Sequence, residues 1–143
     1  MKTTIKTLLA ATSLALMSTA ASAATVTSPN FNVNVTVTST CAITTNPGDI
    51  TLAYTDAQAG PATGTTTFAL RCTNTLPYSL SFTAAGGTVA GLAYTLAASG
   101  QTAAGTGAAQ TVTVTATAAG GQSITCATAT CSGSQAHTVT VTY

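Results

Sequence analysis

Apolar and polar residues alternate with period two through much of this chain, most cleanly over residues 30–41, N-F-N-V-N-V-T-V-T-S-T-C. Phe31, Val33, Val35 and Val37 fall on one face of an extended segment, with Asn32, Asn34, Thr36 and Thr38 on the other. No tight-turn sequence follows to pair this predicted strand with its neighbour as a hairpin. A turn cluster at 45–48, T-N-P-G, leads to a short strand in which Ile50, Leu52 and Tyr54 alternate with Thr51 and Ala53. Residues 56–64 hold two glycines and Pro61 and read as loop. Alternation resumes over 66–72, with Phe68, Leu70 and Cys72 on one face and Arg71 on the wet one. A turn at 74–77 precedes a strand carrying Tyr78, Leu80 and Phe82.

Gly86, Gly87 and Gly91 break the chain before Leu92, Tyr94 and Leu96 mark the next strand. Residues 101–109 are small and glycine-containing, as expected of a mobile loop. Val112 and Val114 mark a strand in T-V-T-V-T-A-T, and 120–133 reads as loop. The last strand covers 136–143, where Val139, Val141 and Tyr143 share a face. About seven strands at this spacing predict an all-β sandwich or barrel.

The first residues follow another pattern. Lys2 and Lys6 precede an uncharged, largely apolar run over 7–20, and Ala21-Ser22-Ala23 supplies a small-x-small cleavage site. Residues 1–23 therefore read as a secretory signal peptide cut after Ala23, or one residue later at Ala24. A membrane anchor is the competing reading, but the run is short for a span and no stop-transfer charges follow.

Removing this segment changes the charge balance. Both lysines leave with it, so Arg71 faces Asp49 and Asp56, with His137 the single histidine. One arginine cannot neutralise a phosphate backbone, which excludes nucleic acid as a partner, and anionic membrane surfaces by the same count. A chain with so few charges lacks the repulsion that keeps monomers apart, a composition suited to assembly. The remaining length of about 120 residues fits one domain.

Four cysteines in an exported chain read as two disulfides, with three pairings open. Cys126 and Cys131 enclose only A-T-A-T, a loop that closes easily, which leaves Cys41 for Cys72. Zinc is the competing reading; the spacing is not C-x-x-C and export favours oxidation.

Candidates for catalysis are few. His137 with a serine and Asp49 or Asp56 would make a triad, but no nucleophile setting such as G-x-S-x-G is present, and a structural histidine is favoured. Asp49 and Asp56 each sit beside turn residues, where Asp orders loops. The tyrosines fall on apolar faces and read as core. No phosphate-cradling glycine motif occurs, so neither an enzyme nor a cofactor is expected, and no membrane insertion. The T-x-T runs at 36–38, 111–117 and 138–142 suggest water-ordering threonine rows of the ice-binding kind. Such rows need repeats at constant spacing, and these runs are irregular. Asn34-Val35-Thr36 matches a glycosylation acceptor and is assigned no role.

The ordered set of motifs carries a resemblance. It comprises F-x-V-x-V-x-V-x-x-x-C, L-A-Y, T-T-F-A-L-R-C-T-N, T-L-P-Y-S-L-S-F, G-L-A-Y-T-L and the closing H-T-V-T-V-T-Y. Residues 24–143 resemble the spore coat protein U domain, shared with the major subunits of archaic chaperone–usher pili. The resemblance implies an immunoglobulin-like β-sandwich lacking one strand. It implies export through the periplasm, a periplasmic chaperone, an outer-membrane usher, and head-to-tail polymerisation of identical or related subunits into an extracellular fimbrium.

Carried onto this chain, residues 24–40 match the donor segment and 41–143 the pilin domain. Phe31, Val33, Val35 and Val37 match donor-strand anchors, and Cys41–Cys72 matches the family disulfide. Val139, Val141 and Tyr143 match the final strand that lines the acceptor groove and pairs with the chaperone. The chain departs from the pattern at Cys126–Cys131 and in its scarcity of charge. The expected function is a structural subunit of a pilus supporting attachment and biofilm formation. A spore or cell coat component is the nearest alternative. A monomeric secreted sandwich that binds a surface or a small ligand is the alternative of another class.

Overall fold

The computed structural model describes residues 24–143; the signal peptide expected over 1–23 lies outside the described residues. Thr36–Tyr143 form one compact unit, and residues 24–35 belong to another. Eight strands run through the former: β1 (Cys41–Thr45), β2 (Ala62–Cys72), β3 (Pro77–Phe82), β4 (Gly86–Val89), β5 (Leu92–Ala98), β6 (Thr102–Ala104), β7 (Ala109–Ala118) and β8 (Val139–Thr142). The described residues contain no helix.

The long strands β2 and β7 are the backbone of the fold because their alternation is uninterrupted. β7 buries Val112, Val114, Ala116 and Ala118, while β2 buries Ala62, Phe68, Leu70 and Cys72. The two pair antiparallel at the centre of a sheet ordered β1-β2-β7-β5-β4. A second sheet, β6-β3-β8, buries Tyr78 and Leu80. Phe68, Leu70, Cys72, Tyr78, Leu80, Val112 and Val114 form one cluster drawn from both sheets. The fold is therefore an all-β, antiparallel, sandwich-like arrangement of two sheets sharing a core.

On the outer face of the larger sheet, Thr63, Thr65 and Thr67 stand opposite Thr117, Thr115 and Thr113. Thr95 of β5 extends the first row. Strand pairing, rather than a sequence repeat, brings these threonines into register.

Several expectations need correcting. Residues 24–40 form no strand, and the first ladder begins at Cys41. Alternation alone does not make a strand; a ladder partner is needed as well. Residues 50–54 likewise form no strand, although Ile50, Leu52 and Tyr54 are half-buried and Thr51 and Ala53 exposed. Their side-chain pattern is satisfied by packing, while their backbone has no ladder.

Two strands arise where breaks were expected. The Gly86-Gly87 break opens β4, which joins β5 through Ala90 and Gly91. Both have positive φ (51° and 82°), as a two-residue hairpin with the sheet's natural twist requires. The stretch at 101–109 contributes β6, paired with β3. Of the tyrosines assigned to the core, Tyr78 is buried, Tyr54 and Tyr94 half-buried, and Tyr143 58% exposed.

Candidate functional site

A groove of about 1010 Å³, lined by both apolar and polar residues, opens within the unit formed by Thr36–Tyr143. Leu96, Val114 and Ala116 of the larger sheet line it, joined by Phe82 of β3. Residues 47–55 line it from one stretch of chain, and Val139 with residues 131–137 from another.

The first stretch descends onto the inner face of β2 at Gly64. A Cβ there would collide with the Thr51 carbonyl oxygen and with Ile50 Cγ2 (2.8 Å). Both ends of the stretch are pinned. Gly48 N donates to Thr66 Oγ1 (3.0 Å). Tyr54 OH accepts from Gln122 N (2.8 Å) and donates to Gln122 O (3.2 Å). Between these pins, residues 50–54 make no backbone–backbone hydrogen bond among the described residues.

The other side is equally underpaired. β8 is hydrogen-bonded to β3 alone, so one of its edges carries no ladder. Residues 131–137, which precede it, make no backbone–backbone hydrogen bond among the described residues. Exposed backbone N–H and C=O groups without a ladder partner pair with water or with an added chain. A groove with Leu96, Val114, Ala116 and Phe82 on its floor and such backbone at its borders is chemically suited to an extended peptide, whose main chain pairs while alternate side chains enter the groove.

Tyr94, Gln135 and His137 form a polar cluster in the lining. Tyr94 OH donates to Gln135 Oε1 (3.1 Å) and lies 2.7 Å from His137 Nε2. Which of the phenol and the imidazole donates in the 2.7 Å bond follows the tautomer of His137. The two rings meet edge to face, their centroids 5.8 Å apart.

The residues singled out in the sequence divide into several groups. Phe31, Val33, Val35 and Val37 are exposed, at 81%, 75%, 76% and 77%. Val139 lines the groove, and Val141 packs against the core cluster. Tyr143 borders a separate shallow pocket beside Tyr78. Cys41 is bonded to Cys72 and Cys126 to Cys131, and two disulfides suit an oxidising environment outside the cytoplasm. Asp56 accepts from Ile124 N (2.8 Å), a loop-ordering bond, and Asp49 lines the groove.

Sequence reading missed the role of residues 50–54 as a groove wall and the Tyr94–Gln135–His137 cluster. The i, i+2 spacing of Gln135 and His137, which places both on one side of an extended chain, was the available signal for the latter. A scan against protein-family models and searches of curated proteins and of solved structures return no match to this chain.

Proposed function

We propose that this chain is an exported structural subunit that polymerises head to tail, the alternating segment of one copy completing the groove of the next. The fold then reads as an immunoglobulin-like sandwich short of one strand, with residues 50–54 and β8 as the neighbours of the added one. The observation that carries this reading is the exposure of Phe31, Val33, Val35 and Val37, four apolar side chains at alternate positions of a segment without a ladder. Soluble chains do not leave such a stripe uncovered without a use for it.

The energetics favour the same reading. Burying one Phe and three Val releases ~6–10 kcal/mol gross, before the cost of ordering the segment. A contact between different patches of identical subunits does not close on itself and builds a filament. A polymer of this kind would serve as a surface fibre for attachment and biofilm formation. A periplasmic chaperone and an outer-membrane usher are the partners that such a subunit requires.

Electrophoresis of surface-sheared material with and without boiling tests the proposal. A ladder of multiples that collapses to monomer on boiling is expected. Monomer alone in the unboiled lane, at concentrations where the exported chain accumulates, would overturn it and favour a monomeric ligand-binding sandwich.

A further inference from the structure

Residues 123–136 cross beside the groove as a strap with firm ends and an unsupported middle. At its start, Gln122 is bound to β5 through both side-chain atoms: Ala93 N donates to its Oε1 (2.9 Å), and its Nε2 donates to Ala93 O (2.9 Å). Ile124 N donates to Asp56 (2.8 Å). At its end, Gln135 and then His137 bond to the Tyr94 hydroxyl. Between Thr125 and Ser134, the one hydrogen bond among the described residues is internal, from Thr128 Oγ1 to Thr130 O (2.6 Å). Residues 125–136 are all exposed. Yet Ile124, Cys131 and Gln135 line the groove.

Two glycines let the strap approach the sheet. A Cβ on Gly133 would meet Val89 Cγ1 at 2.8 Å, and one on Gly87 would collide with the Gln135 side chain. The closed position is thus held by glycine-sized clearances and one hydroxyl. The Cys126–Cys131 bridge removes slack from the unsupported part.

We infer that this strap is a movable wall of the groove, with Tyr94 as its latch and the Cys126–Cys131 loop limiting how far it opens. The inference rests on the strand-exchange reading for what the wall admits. An entering strand passes while the strap is open and is retained once Tyr94 again holds Gln135 and His137. Tyr94 acts on the strand through the strap, as a positioning residue.

Two measurements on the full exported chain test this. The first is binding of a fluorescent synthetic peptide of residues 30–38 at protein concentrations low enough to keep the chain monomeric. Tyr94→Phe removes the latch and keeps the ring. Association and dissociation should both accelerate, roughly three- to tenfold for the loss of these hydrogen bonds, with a smaller change in affinity. The double variant Cys126→Ser/Cys131→Ser should act in the same direction. The second is backbone ¹⁵N relaxation across 133–137 without peptide. Order parameters near the rigid value of about 0.85 should fall toward about 0.6 in Tyr94→Phe.

Rates within twofold of wild type, with unchanged order parameters, overturn the latch. Failure of the wild-type chain to bind peptide while Tyr94→Phe still loosens 133–137 overturns strand exchange and leaves the movable wall standing. If neither binding nor loosening is seen, both fall.

Discussion

The carbonyl oxygen of Thr51 occupies the space that a β-carbon on residue 64 would fill. Gly64 lies on the inner face of β2, between Ala62 and Thr66, so this contact seats the 50–54 stretch against the larger sheet. The groove keeps its shape because residue 64 has no side chain. Gly64→Ala should force that wall outward and destabilise the domain by about 1–3 kcal/mol, the usual cost of overpacking. Gly60→Ala, where a Cβ meets nothing within 4 Å, is the control. Urea unfolding of the two variants should separate them; equal midpoints would show that the wall adjusts freely.

Val35→Asp should abolish fibres and leave the monomer intact. Val35 is exposed in the structure, so a carboxylate there costs the isolated fold little. Seated against the apolar side chains of the groove floor, the same unpaired carboxylate costs several kcal/mol. The expected result is a monomeric, normally folded chain by circular dichroism and no heat-sensitive ladder. Persistence of the ladder in this variant, or in a chain lacking 24–38, would remove the donor assignment.

The hairpin between β4 and β5 holds a stabilising substitution in reserve. Ala90 sits at φ 51°, a conformation that Ala adopts at a cost and Asn tolerates. Ala90→Asn creates the Asn-Gly pair favoured in this type of turn. It should stabilise the domain by about 0.5–1 kcal/mol, visible as a higher melting temperature.

The two disulfides should contribute unequally. Cys41–Cys72 spans 31 residues and Cys126–Cys131 spans 5. Loop-closure entropy assigns ~3–4 kcal/mol to the first and about 2 to the second. Paired Cys→Ala variants should reproduce that order in chemical unfolding. Peptide mapping without reductant should recover both linkages.

Strands β2, β3, β5, β7 and β8 were legible because each places apolar residues at every second position over several residues. β4 and β6 were not. G-G-T-V and T-A-A carry too little apolar signal, and they are strands because β5 and β3 lie beside them. At Gly86 and Gly87 the absence of side chains, which reads as a break in one dimension, accommodates Tyr94 backbone and the Gln135 side chain in three. Residues 50–54 show the reverse, with strand-like alternation and no ladder, because period-two patterning reports burial and not hydrogen-bond partners.

Sequence alone determined that apolar and polar residues alternate over 30–38, that the described residues are all-β, that Cys41 joins Cys72 and Cys126 joins Cys131, and that charge is nearly absent. These are local or compositional properties, set by side-chain chemistry at neighbouring positions. Tertiary structure alone decided that 50–54 and 131–137 border one groove with underpaired backbone, and that Tyr94 gathers Gln135 and His137 beside it. Those relationships depend on which distant stretches become neighbours when the two sheets pack, information that no window of adjacent residues contains.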